Sequence, residues 1–408
     1  MVSPNAISPA QTKQQVGFLA LCQALAMSTN TVLITTAALI GYALAADKAL
    51  ATLPLAMRQV ATMAMTIPAS LLMQRIGRRS GFLTGTGVGL LGAGLAIYSL
   101  AIAHFWLFTL AMALLGVANS FVGYYRFAAA DVAEDAFRPQ AISWVIAGGI
   151  VAALLGPWLA TQSKDWFTGW FSNELYLGAF VAIFGLYLLT ALVLLGLRIP
   201  KAATGEAVEP TRSLLTIARQ PSFLVATLGS AISYGVMVFV MTATPLAMEA
   251  HGHGFDQTAN VIQWHVFGMF GPSFITGWLI KKLGLLNIIT TGAVLTLGCM
   301  AVNLVDTSFW HFAIALFLLG LGWNFMYVGS TTLLTESYRP SEKAKVQAVH
   351  DFVVFSFVAA VTFLSGRIFH RFNWEVLNHV SWPLVLVTLG VVLGWQQWRS
   401  RGQIAGGS

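Results

Sequence analysis

Apolar residues run along this chain in long stretches separated by short polar turns. Twelve such stretches occupy roughly residues 16–44, 50–73, 81–102, 105–130, 140–160, 174–197, 222–248, 258–280, 286–305, 309–335, 346–366 and 376–397. Each holds about twenty residues or more, enough to cross the hydrocarbon core of a bilayer as a helix. The pattern predicts an all-α polytopic membrane protein with twelve transmembrane helices and no extended soluble domain. It also doubles. Gln74-Arg75-Ile-Gly77-Arg78-Arg79 between the second and third stretches is echoed by Lys281-Lys282-Leu-Gly284 between the eighth and ninth. Phe137-Arg138-Pro139 is echoed by Tyr338-Arg339-Pro340. Echoes in the same order predict two pseudo-symmetric six-helix halves, residues 1–197 and 222–408. The segment between them, 198–221, holds Pro200, Gly205, Pro210 and Pro221 among mixed charges and reads as a cytoplasmic linker.

Composition sharpens this picture. Hydrophobic residues make up 57% of the 408 and charged residues only 9%, against about 25% charged in a soluble domain. The net charge of +7 is a matter of placement. With the N-terminus inside, sixteen Lys and Arg fall on inner segments, while the outer loops hold only Lys48, Lys164, Arg367 and Arg371. The positive-inside rule then puts both termini of a multi-pass protein in the cytoplasm. The basic balance therefore reports topology and contact with the lipid bilayer, not nucleic-acid binding. Arg58, within the second stretch, is expected to snorkel outward. Cys22 and Cys299 both fall in helices and form no disulfide framework.

Several chemistries drop out. Gly85-Thr-Gly87-Val-Gly89 lies inside an apolar stretch with no preceding strand, so it suits helix packing and not a nucleotide. No Walker loop occurs, and the few His, Asp and Glu residues make no hydrolytic set. An enzyme is not indicated, nor a resident cofactor. A monomer is expected.

Candidate chemistry concentrates between Tyr234 and Lys282, where two apolar runs flank a short polar turn and are expected to lie side by side as antiparallel helices. Met237 and Met241 share one face of the first, and His265 and Met269 share one face of the second. Counted from the turn, the two pairs fall at matched depths. Thioether and imidazole are soft donors, suited to Cu(I) and poor for magnesium or calcium. Methionine is also a common filler of membrane helices, so packing and metal binding both stay open here. His251 and His253 in the turn are candidates for metal capture, and His350 beside Asp351 for a release step.

The duplicated plan and the basic loop resemble the major facilitator superfamily over nearly the whole chain. Its loop signature is Gly-x-x-x-Asp-Arg-x-Gly-Arg-Arg; here Ser70 and Gln74 replace the first Gly and the Asp, while Arg75, Gly77, Arg78 and Arg79 match. The resemblance implies an inner gate, drawn from Arg75, Arg78, Arg79, Arg126, Asp131 and Asp351. Met237-x-x-x-Met241 followed by His265-x-x-x-Met269, with Gln263-Trp264 and Phe270-Gly271-Pro272 alongside, is similar to the CcoA-like copper importers of that superfamily. That resemblance implies Met237 and His265 as leading metal ligands, with Met241 and Met269 in support. It further implies copper, as an ion or complex, as the transported substrate, imported by alternating access to supply cytochrome oxidase assembly. The alternative on the same fold is a proton-coupled carrier or exporter of a small organic molecule, with the methionines as a flexible pocket wall.

Overall fold

The structure, a computed structural model, describes residues 9–134, 137–167, 169, 176–199 and 212–405. Most of the expected linker, residues 200–211, lies outside the described residues, and of Arg138 and Pro139 only the backbone is described. The chain forms two compact units, Met1–Glu206 and Ala207–Ser408. Among the described residues all regular structure is helical.

The first unit holds α1 (Pro9–Leu44), α2 (Leu53–Ile76), α3 (Arg78–Ala101), α4 (Phe105–Val122), α5 (Tyr125–Val132), α6 (Arg138–Ser163) and α7 (Leu177–Leu195). Here α1 lies along α6, and α4 lies between α2 and α3. Small residues set the α3–α4 spacing: a Cβ on Gly92 would sit 3.1 Å from the backbone nitrogen of Leu115. The glycine run on the third stretch is thus a packing face.

The second unit holds a short α8 (Leu214–Ala218), then α9 (Pro221–Ala250), α10 (Phe255–Phe270), α11 (Ser273–Leu283), α12 (Leu285–Val305), α13 (Phe309–Leu334), α14 (Lys343–Arg371) and α15 (Trp374–Ala405). Helix α13 is its hub, packing on α9, α10 and α12. Helix starts follow local chemistry. Pro221 takes the first turn of α9, where a missing N–H costs nothing, and the Ser213 hydroxyl accepts from the Thr216 N–H to cap α8.

The repeat seen in sequence has a backbone counterpart. Gly77 joins α2 to α3 at φ 89°, ψ 155°, and Gly284 joins α11 to α12 at φ 92°, ψ 146°. That region is open essentially to glycine alone, so the same tight basic turn is built the same way in each half.

Among the described residues, ten helices are long and apolar enough to span a membrane. The other two of the twelve expected spans are α2, which carries Arg58 and Arg75, and the eighth stretch, which breaks into α10 and α11. Pro272 causes the break, because it has no N–H for the carbonyl four residues back. The fourth stretch is likewise split, into α4 and α5. Large apolar side chains such as Leu91, Trp106, Leu192, Phe274 and Val387 face outward, as a lipid-embedded surface requires.

Candidate functional site

Met237, Met241, His265 and Met269 are all buried. Their helices do not lie side by side as expected: α10 packs chiefly on α13 and only slightly on α9. Glycine is the reason. A Cβ on Gly320 of α13 would sit 2.9 Å from the Met269 nitrogen, and one on Gly268 of α10 would sit 2.8 Å from the Phe317 carbonyl oxygen. The two backbones therefore touch. The His265 imidazole is turned to α13 as well, with Nδ1 donating to the Leu316 carbonyl at 2.8 Å. A carbonyl only accepts, so the ring hydrogen sits on Nδ1, and Nε2 is a buried acceptor with no partner among the described residues. Among the described residues, His265 is the one side chain of the four with a hydrogen bond, and that bond ties it to a helix carrying none of the other three. In the turn, the His251 Nδ1 donates to the Ala247 carbonyl at 2.7 Å, and the His253 Nε2 donates to the Thr307 carbonyl at 2.7 Å.

A second device in this region was not foreseen. Asn324 of α13, 1% exposed, spans the break between α10 and α11. Its Nδ2 donates to the Met269 carbonyl and to Ser273 Oγ, each at 2.7 Å, and its Oδ1 accepts from Thr276 Oγ1 at 2.6 Å. One buried amide thus serves both sides of the interruption, supplying a donor where the helix ladder fails.

Of the six gate candidates, Arg78 and Asp131 meet, Nε to carboxylate at 2.5 Å. Arg79 donates to the Leu194 and Leu195 carbonyls at 3.2 and 2.6 Å, closing α3 on the end of α7. Arg126 lies over the Phe127 ring at 4.8 Å, and Arg75 is exposed. Asp351 belongs to the second unit and pairs with His350 at 3.0 Å. Arg58 departs from expectation: it is 5% exposed and donates to Asn30 Oδ1 of α1, so it is held inside instead of snorkelling. Its burial follows from the close α2–α4 approach, where Gly116 lies against the Arg58 carbonyl.

A buried carboxylate anchors the C-terminal part of the linker. Glu342 accepts from the Arg212 backbone N–H at 2.9 Å, from its guanidinium at 2.6 and 2.9 Å, and from the Arg339 N–H at 3.0 Å. Lys345 Nζ donates to the Arg212 carbonyl at 2.6 Å. The Arg212 guanidinium, with the Arg339 N–H behind it, holds the Glu342 carboxyl well below the usual carboxylate range.

Five aromatic rings from four helices of the second unit also converge. Trp323 and Tyr327 of α13 are stacked, with centroids 5.1 Å apart and planes 11° apart. Tyr234 of α9 meets Trp323 at 5.7 Å and Tyr327 at 5.4 Å. Phe355 of α14 meets Tyr234 at 5.8 Å, and Phe270 of α10 meets Trp323 at 6.2 Å. The sequence carried one local sign of this, the four-residue spacing of Trp323 and Tyr327, and Tyr234 opens the very stretch read for metal ligands.

A family model described as Major Facilitator Superfamily matches residues 19–363. The riboflavin transporter RfnT of Brucella anthropi is 37% identical over 92% of this chain and 94% of its own length. The uncharacterized MFS-type transporter YdeG of Bacillus subtilis is 29% identical over 90% of this chain and 88% of its own. Among solved structures, a bacterial homologue of the human lysosomal transporter Spinster shares the fold with a TM-score of 0.67 at 17% identity, covering 95% of each chain. A variant of the nucleoside transporter NupG does so with a TM-score of 0.71 at 13% identity, covering 94% of this chain and 99% of that one. The all-helical twelve-span architecture and the assignment as a multi-pass transporter, not an enzyme, agree with these likenesses. The copper-importer reading does not. A relative at 37% identity over nearly the full length is a riboflavin transporter, which overturns import of copper for cytochrome oxidase assembly and the placement in the CcoA-like branch. Methionine also packs irregular gaps between helices, so the four-residue Met and His spacings do not outweigh it.

Proposed function

We propose, from the premise that the chain belongs to the Major Facilitator Superfamily, that it is a secondary carrier of an organic molecule and that its cargo is riboflavin or a close flavin relative. The observation that carries this reading is the 37% identity to a riboflavin transporter sustained over 92% of the chain. The convergent rings of Tyr234, Phe270, Trp323, Tyr327 and Phe355 agree with it, because a flavin presents a large flat heteroaromatic ring. The carrier works by alternating access in the bacterial inner membrane, with both termini in the cytoplasm, a placement that the distribution of Lys and Arg supports. The Arg78–Asp131 pair serves its inner gate, taking the role of the carboxylate that Gln74 replaces. The methionines of α9 and α10 are packing in this reading.

Radiolabelled riboflavin movement tests it, in a riboflavin-auxotrophic bacterium making the protein and in vesicles loaded from either side. Expected is flavin flux above the empty-vector level, with growth rescued at low external riboflavin if the net direction is inward. Flux equal to the empty vector in both directions would overturn the assignment.

A further inference from the structure

We propose that Trp323, Tyr327 and Tyr234 form the subsite that holds the flat ring of the cargo, within the C-terminal six-helix unit; this rests on the flavin reading above. Three observations point to these residues. First, the rings sit in mid-span. Tyr234 is well inside the 30-residue α9, and Trp323 and Tyr327 are well inside the 26-residue α13. Tyrosine and tryptophan that merely anchor a helix collect at its membrane-interface ends, so anchoring does not account for them. Second, α9 is the most enclosed span, 83% of its apolar window being buried. From Gly229 to Met248 every residue is buried except Tyr234. A half-exposed side chain in the middle of an enclosed helix marks a local opening in the protein, because the helix has no lipid face there. Tyr327, Phe270 and Phe355, which share contacts with the same rings, are half-buried too. Third, the Trp323 indole Nε1–H has no hydrogen-bond partner among the described residues, although the residue is only 8% exposed.

The chemistry follows. Trp323 and Tyr327 already lie parallel, and a third flat ring extends such a stack at an energy gain that tolerates variation in the ring. Tyr234 meets both rings, at 66° to Trp323 and 57° to Tyr327, and so walls the subsite from the side. The indole N–H calls for an acceptor, which a flavin offers as ring carbonyls and imine nitrogens. The subsite therefore selects the heteroaromatic ring and leaves the polyol chain to other groups. A neutral planar ring fits it; a metal ion or a bare polyol does not.

Purified protein in nanodiscs, with flavin fluorescence as the readout, tests this. Stacking on Trp and Tyr quenches a flavin, so wild type should quench riboflavin on binding. Lumichrome, which keeps a fused ring system of the same kind and lacks the polyol chain, should compete; ribitol should not. Trp323→Leu and Tyr327→Leu should weaken riboflavin binding by about tenfold or more and relieve the quenching of what remains bound. Trp323→Phe keeps a ring and loses the N–H, and should keep the fold while weakening binding by less. If wild type binds and carries riboflavin while folded W323F and Y327L match its Kd and its quenching, the subsite is wrong and the flavin reading stands. If ribitol competes and lumichrome does not, the subsite is equally wrong. If wild type neither binds nor carries riboflavin, both fall together.

Discussion

Gly320→Ala is the sharpest test of how α10 is held. The added Cβ would lie 2.9 Å from the Met269 nitrogen and 3.1 Å from the Gly268 carbonyl carbon, and closer still to the His265 carbonyl oxygen. These are backbone atoms, so no side-chain rotation relieves them. Restoring ordinary contact requires α10 to retreat by about 1 Å or more, and interiors packed to crystal density resist that. The retreat stretches the His265 Nδ1 bond to Leu316, now 2.8 Å, and the Asn324 bond to the Met269 carbonyl, now 2.7 Å. Overpacking of this kind costs about 1–3 kcal/mol, and a weakened interhelical hydrogen bond in a membrane about 0.6 kcal/mol more. For a unit of this size that lowers Tm by about 3–14 °C. Thermal unfolding in detergent, followed by intrinsic fluorescence, measures it. Gly390→Ala is the control: it lies within α15 with nothing within 4 Å of the added atom, so it should be neutral or raise stability by up to about 1 kcal/mol. A G320A protein whose Tm stays within about 1 °C of wild type would refute the close α10–α13 approach.

Two further outcomes follow from buried polar groups. Asn324→Ala removes three hydrogen bonds and strands the Met269 carbonyl, so it should destabilise the second unit by about 1–3 kcal/mol, read as a lower Tm with fold retained. Glu342→Gln should lower Tm at neutral pH and make the chain near Arg212 more susceptible to protease. Because the folded-state pKa of Glu342 is depressed, its contribution is complete above the unfolded value of about 4.3 and fades as pH falls from there through the folded value. The gap between wild type and E342Q should therefore be flat across neutral pH and close only in acid; a gap that closes between pH 8 and 6 would contradict the assignment.

The architecture was legible because bilayer thickness demands long apolar runs, and because Gly77 and Gly284 recur at turns that only glycine can make. The breaks at Gly123 and at Gly271-Pro272 were not, since apolarity continues through them. Periodicity placed His265 and Met269 correctly on one buried face, but it cannot say which neighbour that face meets. Consecutive helices were taken as partners, whereas Gly268 and Gly320 draw α10 to α13. The helix that His265 Nδ1 meets is therefore α13, and not the α9 that carries Met237 and Met241. The aromatic site escaped for the complementary reason: Tyr234, Phe270, Trp323 and Phe355 come from four helices far apart in the chain, and only tertiary packing unites them. Arg58 was expected to snorkel outward in preference to facing the interior, because nothing local announces the Asn30 acceptor across on α1.

Interrupted helices in carriers invite description as pivots, and the stub ends at Phe270 and Ser273 look the part. Asn324 makes this one a splinted fracture. A single amide grips the carbonyl on one side and two hydroxyls on the other, so α10 and α11 cannot fold about the proline without parting three bonds together. Whatever rocking carries cargo past this region must then move α10, α11 and α13 as one rigid block, and the compliance for that motion has to reside in the turns at the block's margins.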